Sequence, residues 1–237
     1  MLKLACDLHI HSCLSPCAQM DMTPNNIVHM AVLKGLDAIA VCDHNSAWNL
    51  RAIKAVADAC GLLLLPGVEA QSREEVHLLC YFKTVNAAEA FSLSLYKTLP
   101  DMPNLPDFFG EQAVLDENDE LVRHEPRLLI QSSSLSLDEL HALCLQHGGV
   151  SVPAHINRTA NSLLYLLGFM PESPSFSSVE LMHAVLPPQT LDLSPYHVLY
   201  SSDAHCLEDI SERQFFLPAA EKSAEALLSY LISKKQD

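Results

Sequence analysis

The chain has 237 residues, of which 49% are hydrophobic and 18% are charged, which excludes a disordered protein and predicts one domain, residues 1–237, with one sizeable core. Its formal net charge of −15 disfavours a broad basic surface for duplex nucleic acid. Twelve histidines are many for this length, and they make metal binding a candidate function.

Two features favour a cytoplasmic location. The N-terminus lacks the long apolar run of a secretory signal, and no apolar stretch approaches the roughly 20 residues needed to cross a bilayer, so no membrane partner is expected. The eight cysteines lie mostly in apolar segments without a regular spacing, which predicts buried, reduced thiols and no disulfides.

Short apolar runs rich in Val, Ile and Leu alternate with amphipathic patterns, which predicts an α/β fold of parallel strands joined by crossover helices. The first helix has clear boundaries, because Thr23 can cap it, Pro24 suits its first position and Gly35 ends it. Strands are predicted at residues 4–10, 38–42, 62–66, 77–82, 150–153, 178–182 and 197–201. Helices are predicted between residues 23 and 35 and at 47–60, 137–147 and 220–234.

The alternation fails between residues 84 and 134. Pro100, Pro103 and Pro106 interrupt it, and the pattern permits a hairpin around residues 116–119. We therefore predict an inserted, partly irregular lobe in this range that overhangs the mouth of a barrel as a lid or wall and carries specificity.

Histidines and carboxylates fall at or just after the carboxyl ends of most predicted strands, where parallel barrels build active sites. In a strand, residues two apart point to the same face, so His9 and His11 can hold one ion together, with Asp7 as a supporting partner. The other members are Asp43, His44, Glu69, His155, Asp203 and His205, and also His77, which begins its apolar run instead of ending it. Such repetition favours a metal site over isolated structural polar residues.

The order of these motifs, from His9-x-His11 and Asp43-His44 through Gly67-Val68-Glu69 and Pro153-Ala154-His155 to Asp203-Ala204-His205, resembles the PHP family, the polymerase and histidinol phosphatase domain. The resemblance covers nearly the whole chain. It implies a distorted (β/α)7 barrel that holds two or three divalent ions, with Mn, Zn or Fe as candidates.

Carried over residue by residue, the resemblance implies three metal sites. The first would use His9, His11, Glu69 and Asp203, and Glu69 would bridge to a second site with His77 and His155; the third would use His44 and His205. Cys17 stands near the position of a further third-site ligand in the family. A thiolate there would favour Zn or Fe over Mn, and the alternative is a buried, inert cysteine.

This ligand set predicts a metal-dependent phosphoesterase, because two ions can share a hydroxide and neutralise the oxygens around phosphorus. The expected partner is a small phosphorylated substrate, a phosphate monoester or short nucleotide, and not duplex nucleic acid. Arg158, three residues after His155, can bind the phosphoryl group or form a surface salt bridge. Asp43 and His183 are further catalytic candidates, the latter as proton donor to the leaving group.

Three alternatives to a small-molecule phosphatase stay open. A 5′-3′ exonuclease on short single strands is one, although 14 Lys and Arg with one Trp and six Tyr do not indicate a long strand-binding groove. The second is a metal-bound scaffold without activity, which an open multi-ion site disfavours. The third is hydrolysis of a C–N or lactone bond.

Overall fold

The structure is a computed structural model that describes residues 1–182, 185–186 and 191–235. Its secondary structure is mixed α/β. The strands are β1 Leu2–Ile10, β2 Ala38–Val41, β3 Leu63–Leu64, β4 Gly67–Gln71, β5 His77–Tyr81, β6 Ala113–Leu115, β7 Leu121–His124, β8 Val150–Pro153, β9 Ser178–Leu181, β10 His197–Tyr200 and β11 Phe216–Ala219. The helices are α1 Pro24–Leu33, α2 Leu50–Ala59, α3 Val85–Tyr96, α4 Pro106–Phe109, α5 Leu137–Gln146, α6 Leu163–Leu167 and α7 Ala224–Ile232.

The described strands form four separate sheets, so the predicted closed (β/α)7 barrel is not found among them. One sheet has the order β11-β1-β2-β3, another β4-β5-β8, and β9 pairs with β10. The pairs among β1, β2 and β3 and the β9–β10 pair are parallel, but β5 is antiparallel to both β4 and β8. This reversal explains the position of His77, because the start of an antiparallel β5 lies at the same edge as the end of β8.

A few backbone hydrogen bonds link the sheets where their strands end. His11 N donates to Ala204 O at 2.9 Å, and Ile156 N donates to Glu180 O at 2.9 Å. The ladders stop here because the backbone turns: φ is 52° at Asn45, 31° at His155 and 53° at Asp203, values that non-glycine residues rarely adopt. The strand ends therefore converge on one region without closing a sheet.

Local sequence signals account for the helices around the sheets. The Thr23 side chain caps α1 by accepting a hydrogen bond from Asn26 N, as the sequence predicts. Ser136 and Glu139 form a reciprocal capping box at the start of α5. The residues of α2 that pack into the main core recur at helical spacing; they are Leu50, Ile53, Val56 and Ala57. No helix in the described ranges is long and apolar enough to cross a membrane.

The segment from 84 to 134 is more regular than predicted. It begins with the twelve-residue α3, which Thr84 caps, and it contains an antiparallel β6–β7 hairpin. The predicted turn lies between these strands, where the Asp116 side chain accepts hydrogen bonds from Asn118 N and Glu120 N. The proline-rich stretch between α3 and the hairpin contains only the four-residue α4.

Gly110 provides a test of how this lobe packs on the loop that carries Cys17. Its φ is +103°, and a Cβ there would lie 2.0 Å from Pro16 O, whereas Gly61 has a φ of +68° and no atom within 4 Å of the same position. We expect Gly61→Ala to lower the free energy of unfolding by roughly 1–2 kcal/mol through backbone strain alone. Gly110→Ala should lower it by about 3 kcal/mol or more, because the clash adds to the strain.

Equilibrium urea unfolding of both variants measures the difference. Equal effects at the two positions would contradict the packing of Gly110 against Pro16.

Candidate metal centre

Glu69 lies at the centre of a ring of histidines. It is 1% exposed, and strand β4 directs it toward the converging strand ends. Its Oε1 lies 2.8 Å from His77 Nδ1 and 3.1 Å from His155 Nε2, and its Oε2 lies 3.0 Å from His44 Nδ1. The two oxygens of one carboxylate thus face different histidines, which is the arrangement that a ligand shared by two ions requires.

Asp203 and the His9-x-His11 pair form the neighbouring part of the centre. His9 Nε2 and His11 Nε2 lie 3.1 Å apart, and Asp203 Oδ1 lies 3.3 Å and 3.2 Å from them. Glu69 completes the group at 3.4 Å from each nitrogen. Two imidazole nitrogens turned to the same point between two carboxylates are a donor set that fits a divalent cation.

A third group of ligands lies at the open side. The rings of His11 and His205 are stacked with centroids 4.2 Å apart, and those of His11 and His44 are 4.6 Å apart. Cys17 is exposed and lines the same cleft as His44, so it is not the buried cysteine of the alternative interpretation. Among the described residues, three sets of side chains could each hold one ion, and the ligand atoms of each set lie within 4.8 Å of one another: His11, His44 and His205; His9, His11 and Glu69; and His44, Glu69 and His77.

Charge in the centre alternates between carboxylates and imidazoles. Burial by itself would lower the pKa of His9, but the Glu180, Asp203 and Glu69 carboxylates outweigh burial and raise this pKa well above its ordinary value. The pKa of His11 is raised to about 9 in the same way, against burial, by Asp203 and Glu69. Burial would raise the pKa of Glu69, yet the surrounding histidines hold it well below its usual range.

His77 and His205 differ from the other histidines in the direction of the shift. Burial lowers the pKa of each to about 4 despite a nearby carboxylate. Both rings are therefore neutral at pH 7, and a neutral imidazole is the form that binds a metal ion.

Glu180 supports two of the predicted ligands, and the sequence analysis did not single it out. Its Oε2 lies 3.0 Å from His9 Nδ1 and accepts a hydrogen bond from His155 N at 3.0 Å. A proton shared between Glu180 and His9 Nδ1 leaves Nε2 free for an ion. The available signal was a single acidic residue inside the buried strand Ser178–Leu181.

Asp43 and Asp7 hold loops instead of lining the cleft. The Asp43 carboxylate accepts hydrogen bonds from Ser12 N at 2.7 Å and from Ser15 Oγ at 2.7 Å, and Ser15 Oγ also lies 2.9 Å from His11 Nδ1. Asp7 was expected to support the His9-x-His11 pair, but its carboxylate accepts from the backbone of Ser202 and Ser211. Asp7 therefore positions the chain beside Asp203.

Arg158 lies at the rim of a cleft of about 290 Å³ over the centre. It is both a cleft residue and half of a salt bridge, because its Nη1 lies 3.0 Å from Asp203 Oδ2. Predicted ligands line this cleft together with Gln71, Ile130 and Asn161. The predicted proton donor His183 lies outside the described residues.

No family model matches the sequence, and no curated protein matches it. Solved structures do match. Endonuclease Q from Pyrococcus furiosus is 17% identical with a TM-score of 0.64, over 97% of this chain and 56% of that one. A structure of endonuclease Q with a 27-mer duplex substrate that has an abasic lesion at the active site is 16% identical with a TM-score of 0.66, over 96% and 56%.

Two further matches cover most of both chains. A protein from Bifidobacterium adolescentis assigned as a metal-dependent phosphoesterase is 20% identical with a TM-score of 0.58, over 84% of this chain and 87% of that one. The chain has the PHP-type fold. An amidohydrolase from Chromobacterium violaceum is 17% identical with a TM-score of 0.59, over 98% and 99%. The chain spans 56% of the length of endonuclease Q, and these identities establish the fold alone.

The predicted partner is wrong. The sequence analysis predicted a small phosphorylated substrate and excluded duplex nucleic acid, but endonuclease Q, which shares the PHP-type fold, has duplex DNA in its active site. The prediction against duplex nucleic acid came from the net charge, which sums over the whole chain and does not describe the potential at one cleft. In a PHP-type cleft, bound cations can reverse the local sign of the potential.

The variant Glu180→Gln tests whether the Glu180 carboxylate orients the His9 ring in the candidate metal centre. We expect the affinity for Zn²⁺ to fall about 10- to 100-fold, because an amide holds the His9 ring less firmly in the orientation that presents Nε2. Competition with a fluorescent chelator measures the affinity, and Glu117→Gln, at an exposed position, is the matched control. An unchanged affinity in Glu180→Gln would show that Glu180 is not needed to orient His9.

The raised pKa values of His11 and His44, both about 9, predict a pH dependence of metal binding. Both rings are protonated well below pH 9, so an ion must displace their protons. We expect the affinity for Mn²⁺ to rise about tenfold or more per pH unit between pH 6 and pH 8. His44→Ala should make this dependence shallower, whereas His29→Ala, at an exposed position of α1, should not. If the Mn²⁺ affinity of the wild-type protein did not change with pH, this would contradict the protonation of His11 and His44 in the metal-free protein.

Proposed function

We propose that this chain is a metal-dependent hydrolase of phosphoester bonds in nucleic acid. The observation that carries the proposal is the Glu69 carboxylate with five histidine nitrogens within 3.4 Å of it, beside an arginine at the cleft. We further propose that residues 1–237 form a single domain of this kind.

The residues fit two or three divalent ions, with Zn, Mn or Fe as candidates. His9, His11, Glu69 and Asp203 would hold the first, Glu69, His77 and His155 the second, and His44, His205 and Cys17 the third. When bound, the ions would activate water and neutralise charge around phosphorus.

The side chains around these ligands have separable roles. Glu180 orients His9, and Asp43 orients His11 through Ser15. Arg158 holds Asp203 Oδ2, and its guanidinium has further N–H groups that can bind a phosphoryl oxygen at the rim of the cleft. His183, which follows β9, remains a candidate to protonate the leaving oxygen.

The structural match to endonuclease Q supports nucleic acid as the substrate class, because it covers 97% of this chain. The lysine and arginine side chains of the described residues explain why the sequence gave little indication of nucleic-acid binding. Most have a partner: Arg51 lies against Glu89, Lys54 against Asp58, Lys83 against Glu225 and Arg213 against Asp37. A strand would therefore be held chiefly at the centre itself and less by a basic groove.

Hydrolysis of a C–N bond is the second candidate, supported by the match to the amidohydrolase over 98% of this chain. Arg158 separates the two reactions. A phosphodiester places two non-bridging oxygens that share a negative charge near the guanidinium, whereas an amide develops charge on one oxygen that the ions can neutralise alone. An open cleft beside the ligands favours either enzyme over a scaffold.

Arg158→Ala tests the proposal. With metal content held equal by elemental analysis, we expect kcat/KM for a single-stranded DNA oligonucleotide to fall about 100-fold, because a charged hydrogen-bond donor to phosphate is lost. Arg51→Ala, which removes an exposed arginine that pairs with Glu89 and does not line the cleft, should leave activity unchanged.

Two further results would decide against the phosphoester reaction. One is the absence of cleavage of any DNA or RNA oligonucleotide by the metal-loaded protein. The other is activity toward an amide substrate that Arg158→Ala does not alter.

A further inference from the structure

Gln71 presents an unmatched amide to the cleft. It is the last residue of β4 and lies two positions after Glu69, so both side chains are on the same face of the strand. It pairs across the sheet with His77. Gln71 is 8% exposed and lines the cleft, yet its side-chain amide makes no hydrogen bond within the described ranges. The side chain is thus largely enclosed by protein while its amide is open to the cleft, where it can donate and accept hydrogen bonds to a ligand.

The backbone of Gln71 is held on both sides. Its N–H donates to Asn45 Oδ1 at 2.9 Å, and its carbonyl accepts from Ser133 N at 3.0 Å and Ser133 Oγ at 2.8 Å. A fixed backbone with an unbonded side-chain amide is an arrangement suited to binding, because little freedom is lost when the amide meets a ligand.

The same asparagine brings an apolar residue to the cleft. Asn45 Nδ2 donates to Leu129 O at 2.7 Å and to Gln131 O at 2.8 Å, which fixes the segment between them. Ile130, the residue between, lines the cleft. One side chain in the loop after β2 therefore positions both an amide and an apolar surface beside the candidate metal centre.

We propose that Gln71 and Ile130 form a subsite for the base of the nucleotide that carries the reacting phosphate, an inference that rests on the proposed function. A carboxamide offers a donor and an acceptor in one plane, as the edges of the bases require. Ile130 offers an apolar surface to the ring. A cleft of about 290 Å³ is at the lower end of small-ligand pockets, so it has room for one nucleotide that is unstacked from its neighbours, either in a single strand or flipped out of a duplex.

The test uses single-stranded DNA oligonucleotides that differ only at the cleaved nucleotide, which carries adenine, cytosine, guanine, thymine or no base. Wild type, Gln71→Ala, Gln71→Glu and the control Gln146→Ala, at an exposed position of α5, are compared by kcat and KM. Calorimetric binding of the four deoxynucleoside monophosphates gives a second readout. Melting temperature and metal content confirm that each variant is folded and loaded.

We expect wild type and Gln146→Ala to discriminate among the bases about tenfold or more, mainly in KM and in monophosphate affinity. Gln71→Ala should abolish this discrimination while leaving cleavage at the nucleotide without a base unchanged. Gln71→Glu, which has only acceptors, should shift the preference toward bases with an amino group.

If Gln71→Ala still discriminates among the bases, or if it loses as much activity at the nucleotide without a base as at the other four, the subsite is wrong. The proposed function is unaffected by either result. Discrimination absent from wild type also overturns the subsite. Failure of wild type to cleave any oligonucleotide overturns the proposed function instead.

Discussion

The attraction between the buried Glu69 carboxylate and the imidazoles around it is the interaction on which the described centre depends. A carboxylate that is 1% exposed would be destabilising if it were alone, because burial removes its hydration. Histidines from four separate chain segments compensate for this loss, and they are themselves held by Asp203 and Glu180. Each charge in the centre is buried only because a charge of opposite sign lies beside it. Divalent ions would take over the role that protons on these rings otherwise serve.

This requirement explains the backbone around the centre. Histidines from different strands reach one carboxylate only if the strands stop and turn at the right residue, and the turns are made with positive φ at Asn45, His155 and Asp203. Such conformations are strained for residues with a Cβ. They persist here because side-chain and backbone hydrogen bonds fix the adjoining segments, as Asn45 does between β4 and residues 129–131 and as Glu180 does for His155. The same turns interrupt the sheets.

Fold and site differ in how far the sequence predicted them. Period-two and helical patterns are local, so the boundaries of α1, the hairpin after α4 and the shared face of His9 and His11 could be read directly. Glu180 could not, because a single glutamate within an apolar strand gives no indication of which histidine it meets. The antiparallel direction of β5 was also hidden, since its apolar run fits a parallel strand equally well, and the net charge gave the wrong substrate class.

The sequence by itself determined the chemical types of the candidate ligands and their order along the chain, because side chains two residues apart in a strand point to the same face, as in His-x-His and Asp-x-His. Only the tertiary structure decided that Glu180 supports His9, that Asp43 and Asp7 hold loops, and that the amide of Gln71 faces the cleft without a partner among the described residues. These assignments depend on distances between residues far apart in the chain. Such distances follow from how the sheets pack and where their strands turn, and no local pattern records them.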